Sequence, residues 1–346
     1  MNRHLISAGS TVLSALEMLN DLSGQVMTLF VIDSDGRMTG TLTDGDIRRG
    51  LLAGALLSDP VDKVMLRSFR SLSADGIDLR RLKQLRQQGI RLIPVLDTDG
   101  RPVDIIDTSV TPTRLPVSAI LMAGGKGERL RPLTLDTPKP LLAIGGKAII
   151  DYNIDAIRRA GITRTRVAVN YLAEKIEAHF AGTGIECVRE TSPLGTLGAA
   201  SLMDHQPGGD TLVMNADLLT SLSLEDMYLT HRDSANDITI AAIPYNVAVP
   251  YAILTTDSDG RVTELQEKPS YSYYANAGIY LISNRLLSGM PRGERMDATD
   301  LIEQVIAAGG RVGYFPVSGI WIDIGSPVDF AHARELMRQH RLLADA

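Results

Sequence analysis

The most constraining feature of this chain is a mostly apolar run, Val117–Met122, that opens without a break into Ala123-Gly124-Gly125-Lys126-Gly127-Glu128-Arg129-Leu130-Arg131-Pro132-Leu133-Thr134. A short apolar run bounded by glycine reads as a buried strand. Glycines directly after it let backbone N–H groups approach an anion closely and adopt positive φ. No Gly-Lys-Ser/Thr ends the loop and no Gly-x-Gly-x-x-Gly is present, so it fits neither the Walker-type NTPase loop nor the dinucleotide fingerprint. Two cations follow: Arg129, two residues after Gly127, and Lys139, held between Pro138 and Pro140. Fixed cations beside a glycine loop suit a triphosphate whose negative charge builds on a leaving pyrophosphate.

Downstream, strand patterns at Val117–Met122, Thr165–Val169, 211–214 and 238–243 alternate with helical patterns at 149–160 and 172–180. That order predicts an α/β fold with a largely parallel sheet, whose ligands bind outside the carboxyl ends of the strands. The glycine loop lies at such an end. Val213-Met-Asn215-Ala216-Asp217 closes another apolar strand with a carboxylate, and Trp321-Ile-Asp323-Ile-Gly325 supplies a second. Taken singly, each Asp reads as a cap or turn residue. Glu190-Thr-Ser-Pro-Leu-Gly195-Thr196-Leu-Gly198 reads by itself as a Pro-Gly turn before a helix.

In this order the motifs resemble the sugar-nucleotide pyrophosphorylase (sugar-1-phosphate nucleotidyltransferase) family, whose signature is Gly-Gly-x-Gly-Thr-Arg-Leu-x-Pro-Leu-Thr with Pro-Lys-Pro behind it. The resemblance runs from about Val117 to the end of the chain. It implies a Rossmann-like (GT-A-like) domain in which Leu121, Ala123, Gly124, Gly125, Gly127, Gly195 and Thr196 border the nucleotide. The base would be bound by backbone groups, without a dedicated charge. Val249-Pro-Tyr251-Ala252, Glu267-Lys268-Pro269 and Asn276-Ala-Gly278-Ile-Tyr280 are similar to the family's sugar-phosphate motifs. The resemblance therefore assigns Asn215, Tyr251, Glu267, Lys268 and Asn276 to the sugar phosphate. It assigns Asp217 and Asp323 to Mg²⁺, and Arg129, Lys139 and Lys268 to catalysis. Three positions depart from the pattern: Glu128, Ala216 and Ala252.

The first part of the chain carries a repeat. Phe30-Val-Ile-Asp33-Ser-Asp35-Gly36-Arg37 recurs as Ile93-Pro-Val-Leu-Asp97-Thr-Asp99-Gly100-Arg101. Each copy predicts strand, Asp-x-Asp-Gly turn and strand, preceded by a helix. Val12, Leu13, Leu16 and Leu19 would form the apolar face of one helix, and Leu79, Leu82 and Leu85 that of the other. Gly40-Thr-Leu-Thr43-Asp-Gly-Asp46 resembles the ligand signature of the cystathionine-β-synthase (CBS) domain, an α/β module used in pairs. That resemblance implies a regulatory nucleotide at Thr43 and Asp46, or a purely structural or dimerising pair. Asp46 also fits a plain helix cap. The second copy departs, with Asp104 where glycine belongs. The expected domains are 1–110 (CBS pair), 111–117 (linker, carrying Pro112 and Pro116) and 118–346 (nucleotidyltransferase).

Composition narrows the partners. A net charge of −6 argues against a general nucleic-acid binder. No apolar run approaches the ~20 residues that span a bilayer, and no segment of the sequence resembles a signal peptide. Cys187 is the only cysteine, which excludes an intrachain disulfide and fits a cytoplasmic chain. The six histidines show no zinc spacing.

The expected reaction is attack of a sugar-1-phosphate oxygen on the α-phosphorus of an NTP. The paired CBS module ahead of such a domain resembles bacterial guanylyltransferases, in particular the glucosamine-1-phosphate guanylyltransferases of the legionaminic acid route. GTP with glucosamine-1-phosphate is therefore expected, with mannose- or heptose-1-phosphate and UTP, dTTP or CTP as alternatives. A homo-oligomer is expected from the CBS pair. A reading from another class is a non-catalytic nucleotide-sensing regulatory protein.

Overall fold

The structure, a computed structural model, describes residues 2–344. Met1 and residues 345–346, the outer ends of the expected domains, lie outside the described residues. The chain divides into two compact units, one built from residues 1–114 and 159–161, the other from 115–158 and 162–346.

The first unit repeats one pattern. β1 (Leu5–Ser7), α1 (Val12–Asp21), β2 (Thr28–Ile32) and β3 (Met38–Thr43) are followed by α2 (Asp44–Leu52). β4 (Leu72–Ser73), α3 (Leu79–Gln87), β5 (Leu92–Leu96) and β6 (Pro102–Asp107) form the second copy. Each copy makes a three-stranded sheet with one parallel and one antiparallel pair. The second copy has no helix after β6 to match α2.

The Asp-x-Asp-Gly-Arg turns fold alike for a local reason. The Asp33 carboxylate accepts the N–H groups of Asp35 and Arg37, each at 2.9 Å, and Asp97 accepts those of Asp99 and Arg101 at 3.0 and 2.8 Å. A third instance, Asp257-Ser-Asp259-Gly260-Arg261, makes the same bonds in the other unit. Each turn sits beside a register shift in its strand pair. The signal therefore encodes a bulged hairpin rather than a particular domain.

Leu79, Leu82 and Leu85 are buried as their spacing predicts, but Leu13 is 48% exposed. On α1 the buried face is Val12, Ala15 and Leu19. One residue on from Val12 is a turn of about 100°, which carries Leu13 off that face.

The second unit is built on one large sheet. β7 (Val117–Met122), β8 (Ala143–Ile144), β9 (Lys147–Ala148), α4 (Ile149–Arg159), β10 (Thr165–Val169), α5 (Ala173–Phe180) and β11 (Glu186–Arg189) lead into β12 (Asp210–Asn215) and β13 (Leu218–Thr220). Then follow α6 (Leu224–Asp233), β14 (Ile238–Ala248), β15 (Ile253–Thr256), β16 (Val262–Gln266), β17 (Ser270–Ser283) and α7 (Asn284–Ser288). α8 (Ala298–Ala307), β18 (Val312–Pro316), β19 (Trp321–Asp323) and α9 (Pro327–Ala344) complete it. The seven-stranded order is β11-β10-β7-β12-β17-β14-β18. Every neighbouring pair is parallel except the two that involve β17. The alternating pattern thus gives the mainly parallel α/β sheet, with β14 running five residues past the expected end at 243.

Packing fixes the layers. α4 buries Ile149, Ile150, Ile154 and Ile157, spaced to share one face. Each such side chain contributes about 1.5–3 kcal/mol as an upper estimate. α6 begins on a Ser223 cap that accepts the Asp226 N–H at 3.2 Å, and its last turn carries Arg232, a cation that suits the negative end of a helix. The resulting frame holds the carboxyl ends of β7, β10, β11 and β12 at one edge.

Candidate active site

β7 and β12 lie side by side in register, with Met122 opposite Asn215. The glycine loop and the Asn215-Ala-Asp217 turn therefore leave the sheet together. β10 and β11 end with Val169 opposite Arg189, and Asn170 and Glu190 follow. Around these ends is a cavity of about 320 Å³. Its walls include Ala123, Gly124, Gly125, Lys139, Glu190, Gly195, Thr196, Asn215 and Asp217.

Lys139 is the organising cation. Pro138 and Pro140 restrict the backbone on either side, and Lys139 opens a single 3-10 turn, Lys139–Leu141. The residue is buried. Its Nζ bonds Asp217 Oδ2, and Asp323 Oδ1 lies 3.6 Å away. Asp323 reaches this point because β13 pairs with β19, which sets Leu218 opposite Asp323. The Ile324 N–H then donates to the Asp217 carbonyl at 3.1 Å. Burial and the neighbouring Asp217 push the Asp323 carboxyl above its ordinary range, against the pull of Lys139 and Arg129.

Asp217 Oδ1 is buried without a hydrogen-bond partner. An unpaired buried acceptor is costly, more so when charged, and a cation is its natural complement. Among the described residues no cluster of three or more acidic, His or Cys side chains forms. The protein thus offers two carboxylates, a donor set that fits a divalent cation completed by phosphate oxygens and water rather than an all-protein cage.

The loop closes on Lys139 because Gly127 is glycine. Its φ is 62°, and a Cβ there would sit 3.1 Å from Lys139 Cβ and 3.0 Å from Thr134 Cγ2. Arg129 follows in the turn Glu128–Leu130. Its guanidinium lies on Gly325, where a Cβ would meet the nearest nitrogen at 2.8 Å. Two motifs that are remote in sequence therefore touch, although Arg129 and Asp323 do not line the cavity.

Two of the three departures from the family pattern lie at the surface. Glu128 is exposed and faces Arg131 at 3.7 Å. Ala216 is fully buried, and Ala252 is exposed. Leu121 is buried in the strand and packs the core rather than walling the cavity. Tyr251, Glu267, Lys268 and Asn276 are also outside the cavity lining. Tyr251 is 75% exposed. Asn276 donates to the Tyr280 hydroxyl at 2.9 Å and accepts the Gly278 N–H. Lys268 stands out by its backbone, with φ at 43° in the left-handed region. Such a conformation costs on the order of 1–3 kcal/mol outside glycine and concentrates at functional sites.

Glu190 is the residue that sequence reasoning passed over. It opens the second loop motif, but backbone groups alone were expected to meet the base. Its side chain is buried, lines the cavity and accepts the Leu194 N–H at 3.2 Å. Burial raises its pKa, offset in part by Leu194 and Asn170. Cys187 is half-buried, and burial pushes its thiol up, which favours the inert neutral form.

In the first unit, Thr43 and Asp46 bond each other. Thr43 caps α2, and the Asp46 carboxylate accepts the Thr43 N–H at 2.9 Å and its hydroxyl at 2.6 Å while pairing with Arg49. That reciprocal arrangement is a capping box. A cavity of about 330 Å³ in this unit is lined by both copies, through Phe30 and Thr41 of one and Arg91 and Pro94 of the other. Thr43 and Asp46 are not among its walls.

Known proteins resemble the chain in sequence and in fold. The sequence profile described as "Nucleotidyl transferase" matches residues 118–340, and the CBS domain profile matches residues 1–53. The mannose-1-phosphate guanylyltransferase catalytic subunit beta of Drosophila pseudoobscura pseudoobscura is 32% identical over 229 residues, which cover 61% of this chain and 60% of that protein. The mannose-1-phosphate guanylyltransferase of Mycobacterium tuberculosis is 31% identical over 225 residues, covering 62% of each chain. The chain thus spans less than two thirds of the length of these curated relatives. A solved structure from Bacillus anthracis, assigned as a glucose-1-phosphate thymidylyltransferase in complex with a sucrose, shares the fold. Its TM-score is 0.50 at 21% identity, covering 64% of this chain and 95% of that one. With its glycine loop, its Pro-Lys-Pro clamp and its paired carboxylates at the carboxyl edge of the sheet, this chain belongs to the nucleotidyl transferase family.

Proposed function

We propose that this protein transfers a guanylyl group from GTP to a sugar-1-phosphate, giving a GDP-sugar and pyrophosphate. The observation that carries the choice of base is Glu190, a buried carboxylate in the wall of the same cavity as the glycine loop, Lys139 and Asp217. Guanine presents two adjacent donors, N1–H and the N2 amino group, that a carboxylate accepts together. Uracil and thymine have a single ring N–H flanked by carbonyls, which a carboxylate repels. The names of the curated relatives, mannose-1-phosphate guanylyltransferases, support the same base.

Chemically, an oxygen of the sugar phosphate forms a bond to the α-phosphorus as the bond to the β-phosphate bridging oxygen breaks. The attacking phosphate is largely dianionic near neutrality, so no general base is required. Alignment and charge neutralisation carry the rate. Gly124 and Gly125 offer backbone to the phosphates, while Arg129 and Lys139 neutralise the leaving pyrophosphate. Lys268, with its strained backbone, orients the attacking phosphate, and Glu267, Tyr251, Asn215 and Asn276 contact the sugar. Asp217 and Asp323 would hold Mg²⁺, which when bound neutralises phosphate oxygens.

For the sugar, the CBS-linked architecture favours glucosamine-1-phosphate, and the named relatives favour mannose-1-phosphate as the second reading. A regulatory nucleotide would enter the cavity between the two CBS copies, where Arg70 and Arg91 supply positive charge. The half-buried free Cys187 suits the reducing cytoplasm. The deciding assay is pyrophosphate release with five NTPs against a panel of sugar-1-phosphates. Activity confined to UTP or dTTP overturns the guanylyl assignment. Nucleotide-sugar binding with no pyrophosphate release in Mg²⁺ would instead favour the regulatory-protein reading.

A further inference from the structure

One wall of the active-site cavity is made by Pro193, Leu194, Gly195 and Thr196, which belong to no strand or helix. Irregular backbone at a ligand wall needs fixed partners for its N–H and C=O groups. Here they come from Met296, Asp297 and Ala298, where α8 begins.

The Leu197 and Gly198 N–H groups both donate to the Met296 carbonyl at 3.0 Å, and the Met296 N–H donates to the Leu194 carbonyl at 2.9 Å. The Thr196 N–H donates to Asp297 Oδ1 at 2.8 Å, and the Thr196 hydroxyl accepts the Ala298 N–H at 2.9 Å. The two segments lie too close for a side chain between them. Gly195 has φ at 82°, and a Cβ there would meet Asp297 Oδ1 and the Met296 carbonyl oxygen, each at 2.7 Å. A Cβ on Gly198 would meet the Glu294 carbonyl oxygen at 2.6 Å.

Met296 contributes backbone to this clamp, whereas Asp297 contributes a side chain that a substitution can remove. That side chain is itself held. Asp297 Oδ2 pairs with Arg295 at 2.8 Å, and the Asp297 N–H donates to Asp300 Oδ2 at 2.8 Å. Asp297 is the N-cap residue of α8, whose Ala298, Leu301 and Val305 share a core with Leu197 and with Ile120 of β7. A carboxylate mounted on a packed helix is a rigid acceptor. A loop without it would lose conformational entropy each time a ligand ordered it.

We propose that Asp297 is a positioning residue for the nucleotide, holding the Leu194–Thr196 wall in its binding geometry before the nucleotide arrives. The proposal rests on the reading of this cavity as the NTP site. Asp297 does not itself line the cavity. The cluster of Lys139, Asp217 and Asp323 is assembled through β13 and β19 rather than through α8. Loss of the clamp therefore acts on binding and spares the chemical step.

Steady-state pyrophosphate release by the full chain, with three substitutions at this one position, tests it. Asp297→Ser keeps a favoured N-cap for α8 but is too short to reach the Thr196 N–H, and Asp297→Ala removes cap and acceptor together. Each should raise KM for the NTP about tenfold, the upper end of what one hydrogen bond contributes, with kcat within about twofold of wild type. Asp297→Asn restores an oxygen acceptor for Thr196 and should recover most of the wild-type KM. Asp297→Ser keeps the measurement available where Asp297→Ala fails to fold. Wild-type KM in Asp297→Ser, a fall in kcat with KM unchanged, or an Asn variant as impaired as Ser overturns the proposal. The NTP is whichever one wild type turns over fastest, so a base other than guanine defeats the guanylyl reading alone. If no NTP is turned over, calorimetric titration with the same NTPs reads the same ratios as Kd, and a wild type that binds none of them overturns both.

Discussion

Gly325→Ala should cripple turnover without touching any group that reacts. The new methyl would sit 2.8 Å from one terminal nitrogen of Arg129 and 3.2 and 3.4 Å from its central carbon and other nitrogen. Ordinary contact begins near 3.4 Å, so the guanidinium must move by several tenths of an ångström to about 1 Å. A displacement of that size costs up to ~10²-fold when the displaced group serves the transition state. Complete loss of one preorganised charge-stabilising donor costs about 2.7–4 kcal/mol, or roughly 10²–10³ in kcat. Gly325→Ala should therefore lower kcat by about one to two orders of magnitude, between wild type and Arg129→Ala. Folding should change little, because what yields is the free end of a long side chain. The assay is steady-state pyrophosphate release alongside a thermal melt, on both single variants and the double variant. Since both changes act through one guanidinium, the double variant should be no slower than Arg129→Ala. Near-normal kcat for Gly325→Ala, or losses that multiply in the double variant, would refute the contact as the carrier of the effect.

Three further outcomes follow from the same site. Asp217→Asn keeps the side-chain shape but removes the charge that faces Lys139 and leaves Oδ1 available to a cation, so turnover should fall at least ~10²-fold with the fold intact; pyrophosphate release near the wild-type rate would contradict that role. Glu190→Gln should raise KM for GTP and narrow its advantage over UTP. Because burial lifts the Glu190 pKa, the carboxylate forms only above the ordinary value of about 4.3, and KM for GTP should fall as pH rises through that raised pKa. The folded pKa lies above the unfolded one, so stability contributed by protonated Glu190 is lost as pH rises through the same window, and Glu190→Gln should melt higher than wild type at neutral pH; a pH profile of KM identical in the two proteins would sink the idea. Asp46→Ala removes a capping box and should cost about 1 kcal/mol in the first unit by denaturant titration. If AMP, ATP and GDP-sugars leave the wild-type kinetics unchanged, the nucleotide-sensing role of this module fails.

Much of the molecule is legible in one dimension because its signals are local. The Asp-x-Asp-Gly-Arg turn folds the same way at Asp33, Asp97 and Asp257, since a carboxylate meeting two nearby N–H groups needs nothing from the rest of the chain. The buried leucines of α3 and the strand–helix alternation after Val117 follow from side-chain period, and the glycine loop with its Pro-Lys-Pro clamp follows from backbone chemistry. Spacing alone did not identify Leu13 as exposed, because an apolar residue next to the buried face looks the same in sequence. The convergence of Asp217 and Asp323 on Lys139 is of another kind. It depends on β13 meeting β19, a pairing between segments with no local signal for each other. Arg129 reaching Gly325 depends on that same pairing, and Glu190 joins the cavity wall because parallel strands end at one edge. Local rules determined which side chains the chain carries and the conformation of each short segment. The tertiary fold alone decided which charges became neighbours, because Coulombic and hydrogen-bonding partners are set by distance in space, and that distance is fixed only when the sheet closes.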